Sequence, residues 1–76
     1  MQPYKNSNRD TGVVAYETGD NGIAVQSRDG SVYLYTIKSA GRDAVNKMKS
    51  LAKKGKGLTT YINQYVKDQY EKKISR

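Results

Sequence analysis

The chain has 76 residues, 14 Lys+Arg against 7 Asp+Glu, a formal net charge of +7, seven Tyr, and no Cys, His, Trp or Phe. That length holds one domain, and a domain so small buries only about 60% of its unfolded surface, so a deep substrate cavity would remove core volume the fold needs. Without Cys there is no disulfide framework, thiol nucleophile or thiolate metal site, and without His the commonest general base and metal ligand are missing.

The positive balance favours acidic partners such as RNA or DNA, an anionic membrane or an acidic protein, and it also keeps a small protein dissolved. No run approaches the roughly 20 apolar residues that span a bilayer, and Met1-Gln2-Pro3-Tyr4-Lys5-Asn6 lacks the apolar core of a signal peptide. The expected setting is cytoplasmic, with no membrane partner, no metal and no cofactor.

In chain order, polar residues 1–11 predict a flexible N-terminal arm, and residues 12–76 a single α+β domain. Gly12-Val13-Val14-Ala15-Tyr16-Glu17-Thr18 is rich in β-branched and aromatic residues and stops at Gly19-Asp20-Asn21-Gly22. Asn-Gly signals a hairpin because both residues tolerate positive φ. Ile23–Ser27 follows, then a second turn at Arg28-Asp29-Gly30, then Ser31–Ile37 as a third strand. Strands joined by such tight loops pair antiparallel, since parallel pairing needs a long crossover.

Beyond Ser39 the period changes, and Gly41–Ile74 reads as two amphipathic helices. Ser39 is the expected N-cap of the first, whose apolar stripe is Ala44, Val45, Met48, Leu51 and Ala52. Lys53 and Lys54 suit its last turn, and Gly55 a left-handed cap. The second places Leu58, Tyr61, Ile62, Tyr65 and Val66 on one face, with Tyr70 at its edge. The expected architecture is a three-stranded antiparallel meander followed by two helices packed on one face, βββαα. Tyr33, Tyr35 and Ile37 share one side of strand three, and Val32 and Leu34 share the other, so both faces read as apolar.

The pattern resembles the KTSC domain, found at the C-terminus of some lysyl-tRNA synthetases. The matching residues are Val14-x-Tyr16, Ile23-x-Val25, Asp29-Gly30-x-Val32-Tyr33-x-Tyr35-x-Ile37 and Gly57-Leu58-x-x-Tyr61-Ile62-Asn63. They span roughly residues 7–65. The family's Pro after strand three is replaced here by Lys38-Ser39, and the terminal helix is expected to run about ten residues longer. The resemblance implies the same βββαα layout and that Tyr33 and Tyr35 face the helices. It says little about activity; an RNA role is inferred only from the synthetase setting.

Two surfaces are candidates for function. Lys53-Lys54-Gly55-Lys56-Gly57 is a basic cluster that can contact phosphate, and equally a helix C-cap followed by a solvated turn. It is not a P-loop, because no strand precedes it and the Gly-Lys-Ser/Thr ending is missing. Arg42, Lys49 and Lys53 lie within roughly 40° on the first helix, and Lys47 and Lys54 flank its apolar stripe. That face can track a nucleic-acid backbone, or simply be an outward helix face. The nucleic-acid candidates are therefore Arg42, Lys47, Lys49, Lys53, Lys54 and Lys56.

Tyr33 and Tyr35 can stack on bases or fill the core with their hydroxyls at its edge. If they face the helices, Val13, Ala15, Val32 and Leu34 form an exposed aliphatic strip, a candidate surface for a homodimer or a protein partner. No pair of carboxylates is embedded in apolar sequence, so catalysis by a carboxylate dyad is not expected, and neither is an enzyme.

Overall fold

The computed structural model describes residues 1–5 and 12–74. It is an α+β fold with five antiparallel strands in sequence order: β1 (Gln2–Pro3), β2 (Val13–Gly19), β3 (Gly22–Ser27), β4 (Val32–Thr36) and β5 (Lys72–Ile74). Between β4 and β5 come α1 (Ile37–Ala40), α2 (Arg42–Lys54), α3 (Leu58–Tyr61) and a π-helical turn, Ile62–Val66. The central meander β2–β3–β4 is the expected one. The strands at its two edges are not.

At one edge, β1 lies where a loose arm was expected. Gln2 pairs with Tyr16 and Pro3 with Ala15. Tyr4 then drops into the core at 5% exposure, and its hydroxyl accepts a hydrogen bond from the Leu58 N–H at 3.1 Å. A ring buried with its polar end satisfied holds the chain start against α3. The remainder of that expected arm, residues 6–11, lies outside the described residues.

At the other edge, the second helix does not continue to Ile74. It ends with the π turn at Val66, and the chain returns so that Val32 pairs with Ile74, Tyr33 with Lys73 and Leu34 with Lys72. The Glu71 N–H donates to the Leu34 carbonyl at 2.7 Å, which gives β4 a partner along its outer edge. The wider i→i+5 winding brings Leu58 and Val66 inward and turns Tyr65 out, 65% exposed, against Tyr61 (ring centroids 4.9 Å apart). Tyr65 thus leaves the apolar face on which an ideal helix places it.

Local chemistry explains the joints. Asp20-Asn21 forms the β2–β3 loop, and Gly22 is already in β3, paired with Gly19. A Cβ on Gly22 would collide with the Tyr35 carbonyl, so this glycine serves close approach of strands. At the second turn, the Asp29 carboxylate accepts from the Ser31 N–H at 2.9 Å, and this bond chiefly holds Asp29 below its usual pKa. Thr36, not Ser39, caps the first helical turn. Thr36 Oγ1 accepts from the Ser39 N–H and Ser39 Oγ accepts from the Thr36 N–H, both at 3.0 Å. The reciprocal pair starts a single turn before Gly41 restarts the helix as α2. Gly55 ends α2 in the left-handed region (φ +78°).

The register sets the faces. Tyr16, Val25 and Tyr33 align across three strands, as do Thr18, Ile23 and Tyr35. This side meets Met48, Ala52, Leu58 and Val66 in one core. Val25, Ile23 and Tyr35 are almost wholly buried, so the tyrosine side of β4 is the covered one. Ala15, Ala24, Val32 and Leu34 lie on the opposite face.

Candidate functional site

The aliphatic strip loses one member. Val13 is 4% exposed and belongs to the core, because a register shift between Val13 and Ala15 breaks the alternation. The Thr59 hydroxyl accepts from the Val13 N–H at 3.1 Å, and a Cβ on Gly12 would stand 2.5 Å from Thr59 Cγ2. The start of β2 is therefore pinned to α3. Ala15, Val32 and Leu34 remain half-buried on the outer face, and Ile74, paired with Val32, extends them.

The basic candidates separate by position. Arg42 and Lys47 are exposed along α2. Lys49 is tied down: its Nζ donates to the Gly19 carbonyl at 2.7 Å, which clamps α2 to the β2–β3 hairpin. Lys53, Lys54 and Lys56 are exposed around the end of α2. Composition alone does not reveal that Lys5 joins them. Its Cβ lies 2.7 Å from where a Gly55 Cβ would stand, so Lys5 crosses the same turn from the end of β1. Among the described residues, no Lys or Arg side chain has a carboxylate within ion-pair distance; the one ion pair there joins the N-terminal amine to Glu17 at 3.7 Å.

Two backbone donors at this turn are already used. The Gly55 N–H is spent on the Leu51 and Ala52 carbonyls and the Leu58 N–H on Tyr4. The exposed ammonium groups of Lys53, Lys54 and Lys56 are the charges an anion would meet here.

A second concavity lies between the inner sheet face and the C-terminal turn. It has a volume of about 410 Å³ and is lined among others by Ser27, Tyr33, Asn63, Lys67, Tyr70 and Lys73. The Tyr70 ring makes T-shaped pairs with both Tyr33 (centroids 5.1 Å apart) and Tyr35 (6.1 Å). Lys73 Nζ sits over the Tyr33 ring, 5.3 Å from its centroid. Tyr35 has its hydroxyl committed to the Lys67 carbonyl at 3.3 Å. Burial first, then neighbouring Tyr33, Tyr70 and Asp68, pushes its pKa up to about 12.

Lys67 and Lys73 escape sequence reasoning because both fall in what reads as one continuous helix; only the return of β5 brings Lys73 beside Tyr33. Among the described residues there is no acidic or imidazole–thiol cluster able to hold a metal, and no helix long and apolar enough to cross a membrane. The chain matches no protein-family model, no curated protein and no solved structure.

Proposed function

We propose that the protein binds the phosphate backbone of RNA or DNA through the turn that ends α2. The observation carrying this reading is the convergence of Lys5, from the other end of the chain, onto Lys53-Lys54-Gly55-Lys56 with no carboxylate paired to any of them among the described residues. The negative end of α2 accounts for Lys53 and Lys54. It does not require two more lysines. Four like charges repel one another, and a polyanion relieves that repulsion while releasing its counterions. Arg42 and Lys47 are exposed on two different sides of α2, Arg42 in line with Lys53 and Lys47 in line with Lys54, whereas Lys49 serves the fold.

Binding of this kind is weak, tolerant of sequence and steeply salt-dependent. About four phosphate contacts give a slope of log K against log salt near −3 for a single strand. Fluorescence anisotropy with short RNA and DNA oligomers reads that slope. Replacing Lys53, Lys54 and Lys56 together by Gln should flatten it by about 2. No binding at low salt, or a slope unchanged in the triple variant, refutes the assignment.

A second reading rests on the uncovered sheet face. Ala15, Val32, Leu34 and Ile74 present apolar area there that the helices do not reach. On this reading a second copy of the chain covers the strip, sheet against sheet. Light scattering across a concentration series should then show a dimer that Leu34→Glu dissociates. A wild-type monomer at every concentration rejects it.

A further inference from the structure

We propose that the cleft between the inner sheet face and the π turn binds a nucleotide, its base against Tyr33 and its phosphate at Lys67 and Lys73. This site is separate from the basic turn and does not depend on it. Its volume of about 410 Å³ lies in the ordinary range for small-ligand sites.

The residues divide the work. Tyr35 is excluded as a stacking surface: it is 1% exposed and its hydroxyl is bonded to Lys67. Tyr33, two residues earlier on the same face, is only half-buried, and its ring is held in a T-shaped pair with Tyr70. The electron-rich face over which the Lys73 ammonium sits is the surface offered to a base, which would take the ammonium's place there. Lys73 is exposed and carries its charge on a flexible stem, so it can leave the ring for a phosphate without disturbing the fold. Lys67 supplies a second cation at the same cleft. Ser27 and Asn63 offer hydrogen bonds to a base edge, and Asp68 accepts from a ribose hydroxyl or an exocyclic amine. With two lysines and one aspartate the lining carries net positive charge, which selects an anionic ligand over a neutral aromatic one.

A second observation points the same way. The cleft wall that carries Ile62 and Asn63 is π-helical, a rare winding that recurs at functional sites. The winding gives up regular hydrogen bonding and turns the Tyr65 ring into solvent.

The test is an NMR titration of the labelled protein with UMP, AMP and ribose 5-phosphate, alongside a short single-stranded oligonucleotide. Mononucleotides should give saturable shifts at Ser27, Tyr33, Asn63 and Tyr70, and ribose 5-phosphate should bind more weakly. Tyr33→Leu should weaken the nucleotide about tenfold. Lys73→Gln, at an exposed position that leaves folding intact, should weaken it about threefold. Absence of shifts up to about 10 mM nucleotide, ribose 5-phosphate binding as well as the nucleotides, or unchanged affinity in Lys73→Gln overturns the proposal. In the protein with Lys53, Lys54 and Lys56 replaced by Gln, an oligonucleotide that shifts Ser27, Tyr33, Asn63 and Tyr70 no more tightly than the mononucleotide assigns the cleft to free nucleotides; a tighter one assigns it to an unstacked base of a strand. Replacing Lys53, Lys54 and Lys56 by Gln should leave the mononucleotide shifts as they are, so the cleft and the basic turn stand or fall separately.

Discussion

On the inner face of the sheet, Ile23, Val25 and Tyr35 lie under α2, α3 and the π turn and are almost wholly buried. On the outer face of the same strands, Ala24, Val32 and Leu34 are only half-covered. Side chains of similar hydropathy alternate along one ribbon and meet different surroundings. The contrast shows that burial in a two-layer domain is decided by what stands opposite a residue. Apolar character alone does not assign a layer, because one pair of helices can cover only one side.

The largest effect expected from this contrast is on the covered side. Met48→Ala removes a fully buried side chain beneath the sheet and should cost about 3 kcal/mol in urea unfolding. A loss below about 1 kcal/mol would mean that the helical layer is not tightly packed on the inner face.

A middle-sized effect concerns the polar end of Tyr35. Its hydroxyl titrates near 10 in the unfolded chain and near 12 in the fold. Below pH 10 it is protonated in both states and favours neither. Between pH 10 and 12 the unfolded chain releases the proton first, so stability falls as pH rises through that window. Thermal melts should therefore drop more steeply over this range in the wild type than in Tyr35→Phe. At neutral pH that variant should lose about 1 kcal/mol with its bond to Lys67. Parallel alkaline curves for the two proteins would place the hydroxyl in solvent.

The smallest effect belongs to the outer face. Leu34→Glu puts a charge opposite Lys72 across β4 and β5 and should change the unfolding energy of the monomer by about 1 kcal/mol or less. A much larger loss at low protein concentration would show that the outer face is packed within a single chain.

Much of the scaffold is legible in the residues themselves. The period-two runs of β2, β3 and β4 and the Val45/Met48/Ala52 stripe of α2 sit where they are expected, and Gly55 closes α2 in the predicted left-handed conformation. These features are local: alternation, helical spacing and a positive φ depend on neighbours within a few residues. The errors share a different cause. Tyr4 looks like part of a polar arm until Leu58 supplies a partner for its hydroxyl, 54 residues away. Lys72–Ile74 continues a helical pattern until the edge of β4 offers it hydrogen bonds. Val13 belongs with Ala15 by parity until a bulge turns it inward. Part of the basic cluster, Lys53-Lys54-Gly55-Lys56, was legible, whereas its fourth lysine was not.

The sequence by itself determined the α+β class, the central meander, the amphipathic first helix and the excess of positive charge, because each follows from short-range periodicity or a plain sum. Tertiary structure decided which sheet face is covered, how β1 and β5 close the edges, and that Lys5 meets the α2 turn while Lys73 meets Tyr33. Those outcomes depend on contacts between residues far apart in the chain. The free energy of such contacts comes from shared burial and completed hydrogen bonds, and neither is written in the residues one segment at a time.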